Sequence, residues 1–167
     1  SSNTAIGQAS LFYNTTGASN TAVGKSALTA NTTGTDNTAI GVNAMLSGTT
    51  ASYNTAVGIN SLYSATTGTG VNTAIGRESM YTNTTGTRNT ALGQSSLLNN
   101  TTASGNTAIG IESLFSNTTG FWNVAVGDKA LYTSTTAANN TAVGQTALFA
   151  ATTGGGNTGI GQAAGLA

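Results

Sequence analysis

The sequence predicts an all-β fold, a parallel β-solenoid of about ten coils of 17 residues each. Three observations carry the prediction. Asn recurs at 3, 20, 37, 54, 72, 89, 106, 123, 140 and 157, always 17 residues apart except for the 18 between Asn54 and Asn72. Between successive Asn residues the chain repeats N-T-A-[IVL]-G-x-x-[AS]-[LM]-x-x-x-T-T-[GA]-x-x. The period is too short for a helix-pair repeat, which needs about 33 residues, and suits a single coil stacked on the next at about 4.8 Å. A leucine-rich-type coil, with one helical turn over G-x-x-[AS]-L, is the weaker alternative.

Numbering the Asn as position 1 divides the chain into nine full coils and a partial tenth, a single repeat domain over 1–167. The first coil is entered at position 16 and the last is left at position 11, and neither end reads as a polar cap. The expectation is therefore either a segment of a longer fibre protein or coils that stack head to tail between molecules.

All eight charges keep to three positions. Lys25, Arg77 and Asp128 stand at position 6, Glu78, Glu112 and Lys129 at position 7, and Asp36 and Arg88 at position 17. Charges avoid burial, so positions 6–7 and 16–17 are expected to be exposed corners. The extra residue, within Thr69-Gly70-Val71, falls in the second corner, where an insertion is tolerated. Two strands are expected between the corners, at positions 1–4 and 8–14. Thr, Val and Ile favour strands, and Gly and Asn favour corners.

Alternation along an extended strand assigns faces. Thr at position 2 becomes Val124 in the eighth coil, which places positions 2 and 4 inward and the Ala of position 3 outward. Leu or Met at position 9 is expected inward with 11 and 13, and positions 10, 12 and 14 outward. The Asn of position 1 should form a side-chain ladder, and the invariant Gly of position 5 should supply positive φ.

Position 10 then forms an outward stripe of mostly apolar residues: Phe12, Thr29, Leu46, Tyr63, Tyr81, Leu98, Phe115, Tyr132 and Phe149. A contiguous apolar stripe marks an interface, so Phe12, Tyr63, Tyr81, Leu98, Phe115, Tyr132 and Phe149 are the interface candidates. The other reading is a bend near position 9 that buries both 9 and 10. A second feature is Phe121-Trp122 at positions 16–17, with Tyr53 at position 17 four coils earlier. These three are candidates for contact with a sugar ring, a partner chain or a neighbouring domain, against local packing onto Arg88 or a loop.

The chemistry of catalysis is missing. The chain has no His, Cys or Pro, and only 5% of its residues are charged, with zero formal net charge. No zinc site, disulfide, thiol nucleophile or imidazole base can be built from it. Neutrality argues against electrostatic nucleic-acid binding, and no apolar run approaches the roughly 18 residues of a membrane span. Glu78 and Glu112 share position 7 two coils apart, roughly 10 Å between backbones, at or beyond the reach of a paired-carboxylate mechanism. No enzymatic activity, no metal and no cofactor are expected.

The motif N-T-A-[IV]-G-x-x-[AS], seen in Asn37, Ala39, Ile40, Gly41 and Ala44, resembles the head repeat N-S-V-A-I-G-x-x-S of trimeric autotransporter adhesins of the Yersinia adhesin type. It is also similar to the N-T-A-I-G arrays of some phage tail fibres and bacterial surface proteins. The resemblance spans the chain, with departures. The adhesin coil is shorter, one residue of the Asn-to-Gly stretch is missing here, and Thr stands where Val would be. The resemblance implies a left-handed β-roll, three chains per head and binding to matrix proteins or cell surfaces.

The expected function is thus a non-enzymatic, extracellular structural or adhesive segment, at a cell surface or on a virion fibre. Its expected partner is itself, as a homotrimer or a head-to-tail filament, with a host-surface protein or glycan as a further candidate. Ice binding through stacked Thr ranks is the alternative. It is weakened because T-T, unlike T-x-T, sends only one of two neighbouring Thr residues outward. The N-T-T triplets at Asn14, Asn31, Asn83, Asn100 and Asn117 match a glycosylation sequon but follow automatically from the repeat, and their use would require position 12 to be exposed.

Overall fold

A computed structural model describes residues 2–165. Ten three-residue strands, β1 (Thr4–Ile6), β2 (Thr21–Val23), β3 (Thr38–Ile40), β4 (Thr55–Val57), β5 (Thr73–Ile75), β6 (Thr90–Leu92), β7 (Thr107–Ile109), β8 (Val124–Val126), β9 (Thr141–Val143) and β10 (Thr158–Ile160), form a single parallel sheet in sequential order. Each strand pairs with the next in the register of the repeat, Thr on Thr and Ala on Ala, as in Thr21 with Thr38 and Ala22 with Ala39. The chain is a β-solenoid of 17-residue coils, as the period predicts, and the 18-residue interval keeps the register of β4 with β5.

The expected second strand is absent. Positions 6–11 run as consecutive turns, positions 13–14 form a bend, and each coil contributes one strand to the sheet. The cause lies in the backbone. Non-glycine residues at positions 7, 9 and 17 adopt left-handed φ in coil after coil, for example Ser26 (58°), Leu28 (51°) and Asp36 (58°). A left-handed residue breaks the two-residue alternation of an extended chain. The segment still hydrogen-bonds from coil to coil: the Leu28 N–H donates to the Ala44 carbonyl at 3.0 Å, and the Ser26 N–H to the Gln8 carbonyl at 2.8 Å.

The same feature rearranges the core. Positions 8 and 9 both point inward, so that Ala27 and Leu28, or Ser61 and Leu62, are buried side by side. The faces of the first strand are the reverse of those expected. Ala at position 3 is fully buried from Ala22 to Ala142, and positions 2 and 4 face outward. Val124 stands at 36% exposure, so its presence in the Thr rank marks an apolar outer face and not an interior. With Leu or Met filling the inside of a coil this narrow, only a small side chain fits on the strand opposite. Position 3 therefore varies only to Gly159.

Polar ladders supply what so thin a core cannot. Each Asn of position 1 is tied to its predecessor: the Asn37 N–H and Nδ2 donate to Oδ1 of Asn20 at 3.0 and 3.1 Å. Its Nδ2 also donates to the Ala51 carbonyl of its own coil at 2.7 Å. At position 13 the Thr hydroxyl donates to the Thr carbonyl one coil on, as from Thr32 to Thr49 at 3.0 Å. The glycine of position 5 is doubly constrained. Gly58 has φ 134°, and a Cβ there would fall 2.5 Å from the Gly76 carbonyl oxygen.

Position 12 is buried, contrary to the outward assignment, and Asn31, Asn83, Asn100 and Asn117 carry out a second, interrupted ladder there. Asn100 Nδ2 donates to Asn83 Oδ1 at 2.7 Å, and Asn117 Nδ2 to Asn100 Oδ1 at 3.0 Å. These four N-T-T sites are closed to a glycan in the folded chain.

Candidate functional site

No pocket opens among the described residues, and none of them gather into a group of three or more His, Cys, Asp or Glu. What the fold offers is surface: three ranks of side chains that the repeat holds in line.

The first is the outer face of the sheet. Position 2 presents Thr in nine strands out of ten, and position 4 presents Ile, Val or Leu in all ten. The two ranks lie side by side, since residues two apart on a strand share a face. Neither rank contains a charge. Ile40, Ile75, Leu92 and Val143 are 37–44% exposed in the interior of the stack. Ten strands at the usual spacing make this face about 43 Å long. Sequence reasoning missed it by placing position 4 inside. A signal was available: position 4 accepts the β-branched Ile and Val freely, whereas position 9 is Leu or Met in every full coil. A strand tolerates β-branching, but a residue at φ near 50° does not.

The second rank is position 10. The chain does turn at position 9, but the turn buries positions 8 and 9 and leaves position 10 at the surface. Thr29, Leu46, Tyr63, Tyr81, Leu98, Phe115, Tyr132 and Phe149 are half-buried, and Phe12, in the first coil, is 67% exposed. They bury one another. Tyr63 and Tyr81 stack with centroids 4.8 Å apart, and Phe115, Tyr132 and Phe149 continue at 5.1 and 5.2 Å with rings within 11° of parallel. Phe12 instead meets its neighbour Tyr13 edge-on at 4.9 Å. The ring faces are thus occupied within the stack, and edges are what a partner would meet.

The third is the corner at positions 16–17. Tyr53, Phe121 and Trp122 are each about half exposed there. Tyr53 and Trp122 share left-handed φ values of 62° and 56°. Trp122 does not need Arg88 for support: its indole lies over Gly105 of the preceding coil, where a Cβ would fall 2.5 Å from Cε3 and 2.7 Å from Cζ3.

The two glutamates stand apart from one another in separate ion pairs. Glu78 meets Arg77 at 3.6 Å, and Glu112 meets Lys129 of the next coil at 3.7 Å. Both pairs are solvent-exposed, where such contacts contribute little. No protein-family model, no curated protein and no solved structure matches this chain.

Proposed function

We propose that the chain is a non-enzymatic structural segment that self-associates through the outer face of its sheet. The observation that supports this most is the aliphatic rank at position 4, exposed or half-exposed in every coil beside a neutral Thr rank. Isolated surface apolar residues are ordinary, but a continuous uncharged strip of this length is a surface that association would cover. The motif's resemblance to adhesin heads and tail fibres favours three chains around an axis. A head-to-tail filament is the other assembly. In this reading the molecule works outside the cell, on a cell surface or a virion fibre, and the variable corners make contact with whatever it adheres to.

The test is the mass in solution by sedimentation, with electron microscopy of the same sample. A defined oligomer is expected, and it should dissociate when Ile75 and Leu92 are both replaced by Lys, with the circular dichroism spectrum unchanged. A wild-type monomer at high concentration, or an oligomer indifferent to the double variant, overturns the proposal.

A second reading is favoured by one specific observation. The outward Thr rank belongs to the sheet itself, at position 2, where each Thr is followed two residues later by an outward aliphatic side chain. The T-T objection to ice binding concerned positions 13–14 and does not touch this face. If the face orders water into a lattice, the monomer should show thermal hysteresis and shape ice crystals, and Thr90→Lys should abolish both. Unshaped ice at high protein concentration removes this reading.

A further inference from the structure

We infer that the second corner is a binding site for a linear polysaccharide, lying along the solenoid axis across Trp122, Arg88 and Tyr53. The inference builds on the reading of the corners as contact surfaces and is independent of self-association.

Tyr53, Arg88 and Trp122 occupy the same corner position in the third, fifth and seventh coils. Each hydrogen-bonds through its backbone N–H to the preceding coil: Tyr53 to the Thr35 carbonyl, Arg88 to that of Gly70, and Trp122 to that of Ser104, at 3.0, 2.9 and 3.3 Å. All three have left-handed φ, at 62°, 57° and 56°. The scaffold therefore sets their backbones out on one line at intervals of two coil rises, roughly 9.6 Å. A ribbon-like β-linked polysaccharide turns the same ring face outward at every second sugar, a repeat close to that interval. The protein acts as a ruler of matching pitch.

The chemistry of the three side chains suits such a ligand. Aromatic rings offer an apolar face to the C–H side of a pyranose and a large contact area at low entropy cost. Trp122 is seated over Gly105 and still 56% exposed, and Tyr53 is 54% exposed. Arg88, between them, makes no ion pair among the described residues, so its guanidinium donors are free for sugar hydroxyls. Val71 adds an exposed apolar contact between Tyr53 and Arg88, and Phe121 widens the platform at Trp122.

A protein partner fits less well. Protein hot spots cluster in a patch that surrounding contacts seal from water. Here the large side chains stand in single file, with Thr87, Ser104, Gly105 and Ala138 beside them. A row favours a narrow, extended ligand.

Trp122 is the sole tryptophan, so its fluorescence reports on the site directly. The experiment titrates the full chain with cellohexaose and with chitohexaose, followed by fluorescence and calorimetry. At least one hexamer should give a saturable shift, and the matching dimer a much weaker one, because the row spans about four coil rises. Trp122→Ala and Tyr53→Ala, both at exposed positions, should each weaken calorimetric binding about tenfold or more, and Arg88→Ala should weaken it as well. Sedimentation of each variant should match wild type, which separates this result from any failure of self-association. No saturable response to either hexamer overturns the inference. So does hexamer binding that survives Trp122→Ala, or a tryptophan shift that depends only on protein concentration, which would assign the corner to a second copy of the chain.

Discussion

Asn123 accepts two hydrogen bonds on one atom from Asn140: the Asn140 N–H and Nδ2 both reach Asn123 Oδ1, at 3.0 and 3.2 Å. Asn123 Nδ2 in turn donates to the Ala137 carbonyl at 2.8 Å, and the whole side chain is buried. One amide thus ties its own coil closed and joins it to the next. No other side chain has a planar acceptor and two donors of this size without charge, which accounts for Asn in all ten coils.

Replacing Asn123 by Ala leaves the Asn140 N–H and the Ala137 carbonyl without these partners in the interior. Each orphaned buried group costs about 1–3 kcal/mol, so destabilisation of roughly 2–5 kcal/mol is expected. Unfolding of a repeat array need not be two-state, so the change is best read locally. Amide exchange at Asn140 should accelerate strongly, while exchange at Asn37, remote from the change, should alter much less. Unchanged exchange at Asn140 would remove the ladder from its role in stability.

Position 9 tests the backbone. Leu62 is fully buried at φ 48°. Leu62→Met keeps volume and an unbranched Cβ, so it should cost less than about 1.5 kcal/mol. Leu62→Ile is as apolar and of similar size, yet its β-branch crowds the left-handed backbone, and roughly 2–3 kcal/mol is expected. Urea unfolding of the two variants side by side decides the matter. Equal stability would show that packing alone selects Leu and Met here.

These residues mark where the sequence was legible and where it was not. The period, the parallel register, the Asn ladder and the Gly corner follow from invariance at fixed positions, and each has a local physical reason that a single coil reveals. At position 10 the sequence leaves an outward stripe and a buried one both open, and the structure holds the rank half-buried beyond Phe12. The orientation of the strand was not legible. Assigning faces by alternation assumes an extended backbone through positions 8–14, and the left-handed non-glycine residues at 7 and 9 carry the usual marker only at Asn43 and Asn60; elsewhere they are residues such as Ser, Glu, Lys, Leu and Met. Extending positions 8–14 puts Leu at 9 and Ile at 4 both in the core, and the coil is too narrow to hold both. The exposed sheet face was hidden by that error. Tyr53, Phe121 and Trp122 were legible as exceptions to the repeat, and the shared position of Tyr53, Arg88 and Trp122 follows from the period; the seating of the Trp122 indole over Gly105 does not, because it depends on side-chain direction.

The interrupted ladder of position 12 yields the last prediction. Asn117 Oδ1 is buried without a hydrogen-bond partner, and so is the Oγ of Ser134, which takes the Asn place one coil on. Where the run is intact, as between Asn83 and Asn100, the next Asn supplies the missing donor at 2.7 Å. Ser134→Asn should restore that bond, with Nδ2 donating to Asn117 Oδ1, and remove the unpaired hydroxyl. The new side chain brings an acceptor of its own, but the next residue in the rank is Ala151, which is small and only half-buried, so water can reach it. Satisfying one buried acceptor should stabilise the chain by about 1 kcal/mol, read as a higher urea midpoint at unchanged slope. Ser134→Ala makes the control: it deletes the hydroxyl without supplying a donor and should gain less. If Ser134→Asn proves no more stable than Ser134→Ala, the Asn117 oxygen is already satisfied by water, and the ladder gains nothing from continuity at this point.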